Sequence, residues 1–410
     1  MRDGNEPTAR VRWGAACLAA AALSGAAAGA ESADRGEYAK DFAALTARLD
    51  ANYAFFDAKG IRPDWAATKK RLAGEAKRCR TDTQFLGIVV DTLRCLRDGH
   101  AGVMKTEAKF PEREREYYSG FSFMPASNNR VVVMHPPRDY VGKMKTGTVV
   151  LTINGKPARA VLEACAKKAW AEGGFFSSPQ RARLFEYRVP LRGKIRQRHV
   201  IAYLDGKRKR MEILTALTQA RGWPRLYNIP AGLKQVGRSF WYAGLTGGAG
   251  YMYLRRVDAS IVPGIAEARK ALPDAKGWIV DLRGNSGGGY DATLIRAIKE
   301  MPRPVAAIID AGCISAGETL ARDFARFAGA RLFGTRSAGS SSAKEYFTLP
   351  SGIATVRFSL RSRWRRDGKP IEHNGIDPDE IVEPDPDEMA RGLNSAILRA
   401  EAHLKKHHPR

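Results

Sequence analysis

One stretch, residues 278–318, constrains the fold more than any other part of the chain, because it repeats a single pattern. Two short apolar runs, residues 278–282 and 304–309, each end in a turn of small residues that leads into a helix-like span. Short β-branched apolar runs of this kind are typical of buried parallel strands. Strands that alternate with helices predict an α/β core around this stretch.

The second turn places Ser315 at the start of an amphipathic helix. A serine there lies at the positive end of the helix, beside the unpaired backbone N–H of Ala316. A simpler interpretation is a capping box, because Ser315 and Glu318 fit the pattern S-x-x-E, in which the hydroxyl caps the helix and the glutamate reaches back. The sequence of these four residues leaves both interpretations open.

The first turn, residues 284–289, is rich in glycine. Its backbone N–H groups are sterically open, so a developing negative charge could approach them closely, as in one half of an oxyanion hole. The alternative is an ordinary tight turn between a strand and a helix. A phosphate-binding loop is excluded because no G-K-[ST] follows.

Further segments follow these turns in a fixed order. They are GTRSAG at 334–339, the hairpin-like FTLPSGIATVRFSL and EHNGIDPDEIVEP. Together with DLRGNSGGG and the serine of ISAGE, they resemble the landmarks of the C-terminal processing and tricorn-type serine peptidases, and the likeness covers most of the chain. The resemblance implies an α/β multidomain protein with a crotonase-like or ClpP-like catalytic core and added antiparallel strands.

The resemblance also implies a set of catalytic residues. The processing branch of the family carries a catalytic lysine directly after the last glycine of GTRSAG, whereas this chain has Ser340 there. The tricorn branch uses a histidine from an amino-terminal helical region and a glutamate near the last core strand. This likeness predicts Ser315 as nucleophile, His100 as general base and acid, and Glu372 as the carboxylate that orients the imidazole.

The oxyanion donors implied by the resemblance are backbone N–H groups. They are the N–H of Ala316 and one N–H from Gly287 or Gly288. Loss of one such donor typically costs about 2.7–4 kcal/mol of transition-state stabilisation.

Several alternatives stay open at this point. His373 is a rival base, although an alternating strand would turn residues 372 and 373 to opposite faces. Lys344 is a minor alternative, four residues past the usual lysine position, and nothing on its predicted strand indicates a lowered pKa. With His100 as base, the rate should rise as an imidazole with a pKa of about 6.5 loses its proton. By default His100 would be a solvated or capping residue and Glu372 a surface carboxylate.

Residues 38–96 show helical periodicity and predict a small helical bundle at the amino end. The last helix would stop near Gly99, in the segment Asp98-Gly99-His100. The tricorn-like peptidases place their base in a D-x-H motif at this point, which favours His100 over the other histidines.

A second module is predicted between the helices and the core. Two segments, GFSF at 120–123 and GTVVLTINGKP at 147–157, flank an apolar strand at 131–134. The first resembles the carboxylate loop of PDZ domains, and the second resembles their G-D-x-I-x-x-I-N-G-x-P signature. That likeness implies capture of a peptide carboxyl end by the loop of Gly120, Phe121 and Phe123. An ordinary hairpin with an Asn-Gly turn is the alternative. Residues 175–214 are predicted as linking β structure.

The predicted domains follow from these segments. They are a signal peptide (1–30), a helical domain carrying the base (31–112), the PDZ-like module with linking β structure (113–215), the peptidase core (216–385) and a carboxyl-terminal helix with a basic tail (386–410). Arginines at the start, an alanine-rich run and the A-x-A site Ala28-Gly29-Ala30 predict cleavage after Ala30. The run is too short for a good membrane span. We therefore expect a periplasmic or secreted bacterial protein with no span in the mature chain.

The composition limits the classes of partner that the protein is expected to bind. The chain has 68 Lys and Arg against 43 Asp and Glu, a net charge of +25, with basic runs RGKIRQR and GKRKR. These runs lack interleaved aromatic residues, which argues against a nucleic acid partner, and they favour acidic cell-envelope surfaces instead. No metal-spaced Cys/His cluster is present, so neither a metal nor another cofactor is expected. Whether Cys79 and Cys95 form a disulfide is left open.

The sequence as a whole predicts an exported serine endopeptidase that cleaves unfolded or C-terminally exposed proteins. The alternative is an inactive member of the same fold family that binds peptides or apolar ligands. The oligomeric state is not predicted.

Overall fold

The computed structural model describes residues 35–112, 114–219, 229–362, 365 and 367–407. The predicted signal peptide and its cleavage site lie outside these residues. Within them, no helix combines the length and the apolar character that crossing a bilayer requires.

Helices occur in all parts of the described chain. They are α1 (Arg35–Asn52), α2 (Arg62–Ala76), α3 (Asp82–Cys95), α4 (Ala158–Ala171), α5 (Pro179–Arg188), α6 (Ile261–Ala271), α7 (Ala292–Lys299), α8 (Ala316–Phe327), α9 (Ile371–Asn374), α10 (Pro386–Ala390) and α11 (Ser395–His407). The fold is mixed α/β, because these helices pack on several sheets.

The strands of the described chain form four sheets. They are β1 (Gly102–Thr106), β2 (Tyr117–Tyr118), β3 (Ser122–Ala126), β4 (Arg130–His135), β5 (Val149–Ile153), β6 (Lys156–Pro157), β7 (Arg198–Asp205), β8 (Arg208–Thr215), β9 (Thr218–Gln219), β10 (Lys234–Val236), β11 (Phe240–Gly244), β12 (Gly250–Leu254), β13 (Trp278–Asp281), β14 (Val305–Ile309), β15 (Arg331–Gly334), β16 (Ala343–Thr348), β17 (Ala354–Arg361) and β18 (Glu380–Ile381).

The largest sheet carries the stretch that the sequence singled out. Its order is β10-β11-β12-β13-β14-β15-β18, and the strands from β12 to β18 run parallel. Along β14, Val305, Ala307 and Ile309 belong to one apolar cluster and Ala306 and Ile308 to another on the opposite face. Both faces are therefore covered, which explains why these strands read as continuous apolar runs. The two predicted parallel strands are confirmed.

Residues 244–250 form the turn of a hairpin in which β11 pairs antiparallel with β12. One expectation for this region is wrong. The single amphipathic helix expected at the carboxyl end is broken into α10 and α11, because Gly392 has a φ of +76°, which ends a helix. Helix α11 still packs on the large sheet, through Ile397 and Leu404.

The amino-terminal helices bury the apolar positions that the periodicity picked out. Their cluster also includes Val356 and Phe358 of β17. The expected antiparallel hairpin is present as β16–β17, and it forms a sheet of its own in which β17 also pairs antiparallel with β1. The apolar side of the hairpin is thus buried against the helices, and this pairing ties the segment after His100 to the carboxyl-terminal part of the chain.

The six-stranded sheet has the order β3-β4-β5-β7-β8, with β6 paired to β5. Asn154 and Gly155, with φ of +49° and +78°, make the turn between β5 and β6, so the Asn-Gly hairpin is present. The linking β structure expected for 175–214 is wrong in part, because α5 lies there. Ser178 caps its first turn and Pro179 is the first helical residue, both ordinary start signals of a helix.

The four cysteines of the described chain are free. The open question about Cys79 and Cys95 is therefore answered against a disulfide in this structure. Cys79 is buried, and the Cys95 Sγ lies 3.5 Å from the Thr68 hydroxyl.

Candidate active site

Ser315 lies in a strained turn between β14 and α8. Its φ of +56° and ψ of −123° are rare for a residue with a side chain. Its N–H donates to the Ser340 carbonyl at 2.7 Å, and its own carbonyl accepts from the N–H of Glu318. The Ser315 hydroxyl makes no capping hydrogen bond to the helix. Strain at a half-buried serine that is not used as a cap indicates a functional position.

Glu318 does not reach back to Ser315, so the capping-box interpretation is wrong. Its buried carboxylate accepts hydrogen bonds from the Ser337 hydroxyl at 2.5 Å and from the N–H groups of Gly339 and Ser340 at 2.7 and 2.8 Å. Burial raises the pKa of Glu318 to about 8, against the opposing effect of these donors. Glu318 therefore anchors segment 337–340, whose Ser340 carbonyl holds Ser315.

The glycine turn packs directly against the serine. A Cβ on Gly287, whose φ is +71°, would lie 2.6 Å from the Ser315 Cβ and 3.1 Å from the Ala316 nitrogen. The Gly287 N–H already donates to Asn285 Oδ1 at 2.9 Å. Within the described residues, no hydrogen bond uses the N–H of Gly288 or that of Ala316. Of the two glycines expected as donors, Gly288 has the N–H that is available to a substrate. Gly287, which has no side chain, lets the turn pack closely against Ser315.

His100 is buried, so its default interpretation as a solvated residue is wrong. Asp98 fixes the turn after α3 by accepting from the His100 N–H at 2.8 Å and from the Ser359 N–H at 3.1 Å. Arg357 Nε donates to the His100 carbonyl at 2.7 Å. Strand β17 thus holds the histidine backbone on both sides, which follows from its pairing with β1.

Glu372 is also fully buried, contrary to the default of a surface carboxylate. Its Oε1 accepts from Lys59 Nζ at 2.9 Å, and neither side chain is exposed to solvent. Lys59 Nζ also donates to the Tyr53 hydroxyl at 2.9 Å and to the Arg97 carbonyl at 2.8 Å. The other oxygen, Oε2, is buried without a hydrogen-bond partner in the described residues.

Sequence reasoning missed Lys59. It lies between α1 and α2 in the segment FFDAKGI, and those apolar neighbours were the only local signal that this lysine would be buried. A fully buried lysine is rare unless it is paired.

The segment around Glu372 is not the alternating strand that the sequence suggested. It is the short turn α9, in which Glu372 is extended and His373 has a φ of +70°. His373 Nδ1 lies 3.2 Å from the Ser177 carbonyl, and its ring stacks on Trp170 at 5.6 Å. The rival base, His373, is therefore held by Ser177 and Trp170. The turn of the backbone separates it from Glu372, whereas the sequence predicted that strand alternation would do so.

Asp98, His100 and Glu372 come together in the buried interior. Each offers an atom that lies within 4.8 Å of those of the other two. Three such groups are also spaced like a metal site, but the ammonium of Lys59 already occupies Glu372 Oε1. A cation on this carboxylate disfavours a second one.

Burial shifts the pKa values of this cluster. Desolvation and then the charge of Lys344 lower the pKa of His100 to about 3, against the effect of Asp98. The expectation of an unperturbed imidazole pKa is therefore wrong, and His100 is neutral at pH 7. Desolvation raises the pKa of Glu372 to about 7, although the charge of Lys59 opposes the rise.

The segment 340–342 connects the serine to the histidine. Ser340 binds the Ser315 N–H through its carbonyl, the Ser341 hydroxyl donates to the Ser315 carbonyl at 3.2 Å, and the Ser342 Oγ lies 3.4 Å from His100 Nδ1. No hydrogen bond joins the Ser315 hydroxyl to His100 in the described part of the chain. Such bonds are often long without substrate and tighten in the Michaelis complex.

Two positions were considered for a catalytic lysine, Ser340 and Lys344, and their surroundings differ. Ser340 is buried and its Oγ accepts from the Ser177 hydroxyl at 3.1 Å. A Cβ on Gly99 would lie 2.7 Å from that Oγ, so this corner has little spare room. Lys344 lies on β16, and burial, followed by the charge of Arg357, lowers its pKa. The expectation that nothing near Lys344 lowers its pKa is wrong.

The residues expected to bind a peptide end contribute core side chains. Phe121 and Phe123 are 1% and 0% exposed and pack inside the six-stranded sheet. Gly120 has a φ of +83° and lies against Pro137. Only the backbone of this loop is therefore available to a ligand, next to β3, the first strand in the sheet order.

Part of the chain matches a known family. Residues 290–382, which contain Ser315 and Glu372, match the model of peptidase family S41. A search of curated proteins finds no match.

Solved structures share the fold across most of the chain. Mature CPAF complexed with lactacystin is similar with a TM-score of 0.61 at 12% identity, over 91% of this chain and 98% of that one. A putative peptidase from Parabacteroides merdae gives a TM-score of 0.53 at 15% identity, over 90% and 96% of the two chains. The tricorn protease is also similar, with a TM-score of 0.45 at 17% identity, over 91% of this chain and 37% of that chain.

The family match includes the strained serine, and the fold is shared with peptidases over nearly the whole chain. These findings confirm the resemblance to the C-terminal processing and tricorn-type serine peptidases, and residues 290–382 are the part of the chain that matches the model of family S41.

Proposed function

We propose that this peptidase cleaves peptide bonds with Ser315 as nucleophile, His100 as general base and acid, and Glu372 as the carboxylate that stabilises the imidazolium. The burial of Glu372 within 4.8 Å of His100 carries the proposal. A carboxylate oxygen that is buried without a partner, Oε2, is an acceptor suited to an imidazolium N–H.

The reaction balances with these groups alone. The Ser315 hydroxyl gives its proton to neutral His100 and its oxygen attacks the carbonyl carbon. The N–H groups of Ala316 and Gly288 stabilise the negative oxygen of the tetrahedral intermediate. Protonated His100 gives the proton to the departing amine. A water that His100 deprotonates then attacks the acyl carbon, and His100 returns that proton to the Ser315 oxygen as the ester bond breaks.

The assignment is tested by labelling with a serine-directed fluorophosphonate and by turnover of casein. We expect Ser315→Ala to lose the label, and Ser315→Ala and His100→Ala each to lose nearly all turnover. Because the two groups act as one unit, the double variant should be little worse than either single one. Ser286→Ala is the matched control, since this serine lies in the adjacent glycine turn, and it should label and turn over like the wild type.

Two results would reject the assignment. Labelling of Ser315→Ala would identify another nucleophile. Absence of labelling and turnover in the wild type would favour the alternative of an inactive peptide- or ligand-binding protein.

We infer that residues 113–215 act as a PDZ-like module that presents the carboxyl ends of unfolded proteins to the core. The position of Gly120 beside the first strand of the six-stranded sheet supports this, because an extended peptide can add to a strand edge while backbone N–H groups bind its carboxylate. Peptides with a free carboxyl end should bind more tightly than the same peptides as amides. Equal affinities would reject carboxylate recognition.

We also infer export to the periplasm or the medium, with cleavage after Ala30, from the basic start and the A-x-A site. Intact mass of the protein exported by a bacterial host should place the new amino terminus at Glu31. A soluble exported species that retains Met1 would contradict this. The domain boundaries given above stay predictions.

A further inference from the structure

The outer face of the hairpin β7–β8 is unusually apolar for a surface. Val200 pairs with Ile213 and Ala202 with Met211, so these side chains share one face. Met211 is 69% exposed and Ile213 46%. The opposite face of the same strands carries Ile201, Tyr203 and Leu214, which are buried in the core. Burial in the core therefore explains why one face of this hairpin is apolar. It does not explain why the exposed face is apolar as well.

The exposed apolar area continues beyond the strands. Ile195, at the turn before β7, is 56% exposed, and Leu217, just after β8, is 63% exposed. The Arg196 N–H donates to the Ala216 carbonyl, which holds this turn against the end of β8. We call the exposed side chains of Ile195, Val200, Met211, Ile213 and Leu217 the aliphatic face. Clustered exposed apolar side chains mark interaction sites more often than scattered ones do.

Cations surround the aliphatic face. Six exposed lysines and arginines lie on the hairpin or its leading turn, and none of them forms an ion pair within the described residues: Lys194, Arg196, Arg198, Lys207, Arg208 and Lys209. The nearby acids are engaged, because Asp205 pairs with Arg210 and Glu212 accepts from the Tyr140 hydroxyl. These are the basic runs that the catalytic site does not use.

We propose that the aliphatic face docks on an anionic lipid bilayer. Its aliphatic side chains would enter the boundary between headgroups and acyl chains, while the surrounding cations bind lipid phosphates. Charge complementarity selects this partner. A second copy of the chain would bring six cations against six of the same sign, which is unfavourable at a two-fold interface. The face offers no aromatic side chains on which nucleic acid bases could stack.

The test is sedimentation of the purified protein with vesicles of phosphatidylcholine, alone or mixed with about 30 mol% of the anionic lipid phosphatidylglycerol. We expect binding to the anionic vesicles, weak binding to the neutral ones, and partial release by high salt because only the ionic part is screened. Met211→Gln with Ile213→Gln should lower the partition coefficient about tenfold or more, since each buried methylene contributes substantially to insertion.

Controls separate docking from folding. Ile381→Gln removes a similarly exposed aliphatic side chain, 76% exposed, on the unrelated strand β18 and should leave binding unchanged. Lys207→Glu with Lys209→Glu should also lower binding to anionic vesicles, and it does so without altering an apolar residue. All variants should keep the thermal unfolding midpoint of the wild type.

Two outcomes would overturn the proposal. One is equal binding of the wild type and both double variants to anionic vesicles. The other is a dimer in solution that Met211→Gln with Ile213→Gln dissociates, without any vesicle binding, because the face would then be an interface between copies.

Discussion

Removal of the buried cation at position 59 should destabilise the protein strongly. Lys59→Met deletes an ammonium that makes three hydrogen bonds, one of which belongs to the ion pair with Glu372, and neither side chain of that pair is exposed. Removing one member of a buried pair leaves an uncompensated charge and costs about 3–5 kcal/mol. Total stabilities are about 5–15 kcal/mol, so this loss is a large fraction.

The same reasoning predicts a rescue. In Lys59→Met with Glu372→Leu, no charge is left behind, and apolar replacement of a buried ion pair is often close to neutral. The double variant should therefore be more stable than Lys59→Met alone and lose much less than the sum of the two single variants. Its peptidase turnover should be strongly reduced relative to the wild type, because the carboxylate is gone, so the assay separates stability from catalysis.

Urea unfolding measures both effects as changes in the free energy of unfolding. Lys69→Met is the control, since Lys69 and Asp50 form a partly exposed pair, at 40% and 39% side-chain exposure. Such a pair contributes about 0–1 kcal/mol. Additive losses in the double variant, or a Lys59→Met variant as stable as Lys69→Met, would refute the argument that an unpaired buried carboxylate causes the loss.

Three further predictions follow from the site. Gly287→Ala should lose turnover by the equivalent of about 2.7–4 kcal/mol, because its Cβ would displace Ser315 from the proposed oxyanion donors. Gly289→Ala has open space around its Cβ and should stay active, and equal activities of the two variants would reject this reasoning. Turnover of the wild type should rise as the pH passes through about 7, because Glu372 with its raised pKa ionises there, and Glu372→Gln should lack this rise. A rise that persists in Glu372→Gln would assign the titration to another group. Lys344→Met should keep most turnover, and an inactive Lys344→Met beside an active His100→Ala would move the enzyme to the serine-lysine design.

The pH prediction corrects one made from the sequence. An unperturbed imidazole would titrate near pH 6.5, but buried His100 is already neutral throughout an assay range above pH 5, since its pKa is lowered to about 3. Glu372 behaves oppositely: burial raises its pKa, so its proton is lost only near pH 7. The carboxylate, and not the imidazole, should therefore set the acidic limb of turnover.

Periodicity and turn chemistry were enough to predict the local elements. The apolar runs gave the strands on either side of the glycine turn, and helical spacing gave the amino-terminal helices, because a buried face imposes its period on the sequence. Ser315 could be singled out for the same reason, as the residue after a strand and at the start of a helix. The strained backbone of Ser315 could not be predicted, because the four residues from Ser315 to Glu318 fit a capping box equally well.

The interior of the site was decided only by tertiary structure. Lys59 and Glu372 are separated by 313 positions, and no local sequence pattern around either residue predicts that they pair. They meet because β17 pairs with β1 and thereby joins the helices to the carboxyl-terminal segments. Burial in that junction shifts the pKa values of His100 and Glu372 in opposite directions. The sequence alone determined which groups could do the chemistry, whereas long-range packing determined their partners and charge states, since desolvation depends on neighbours distant along the chain.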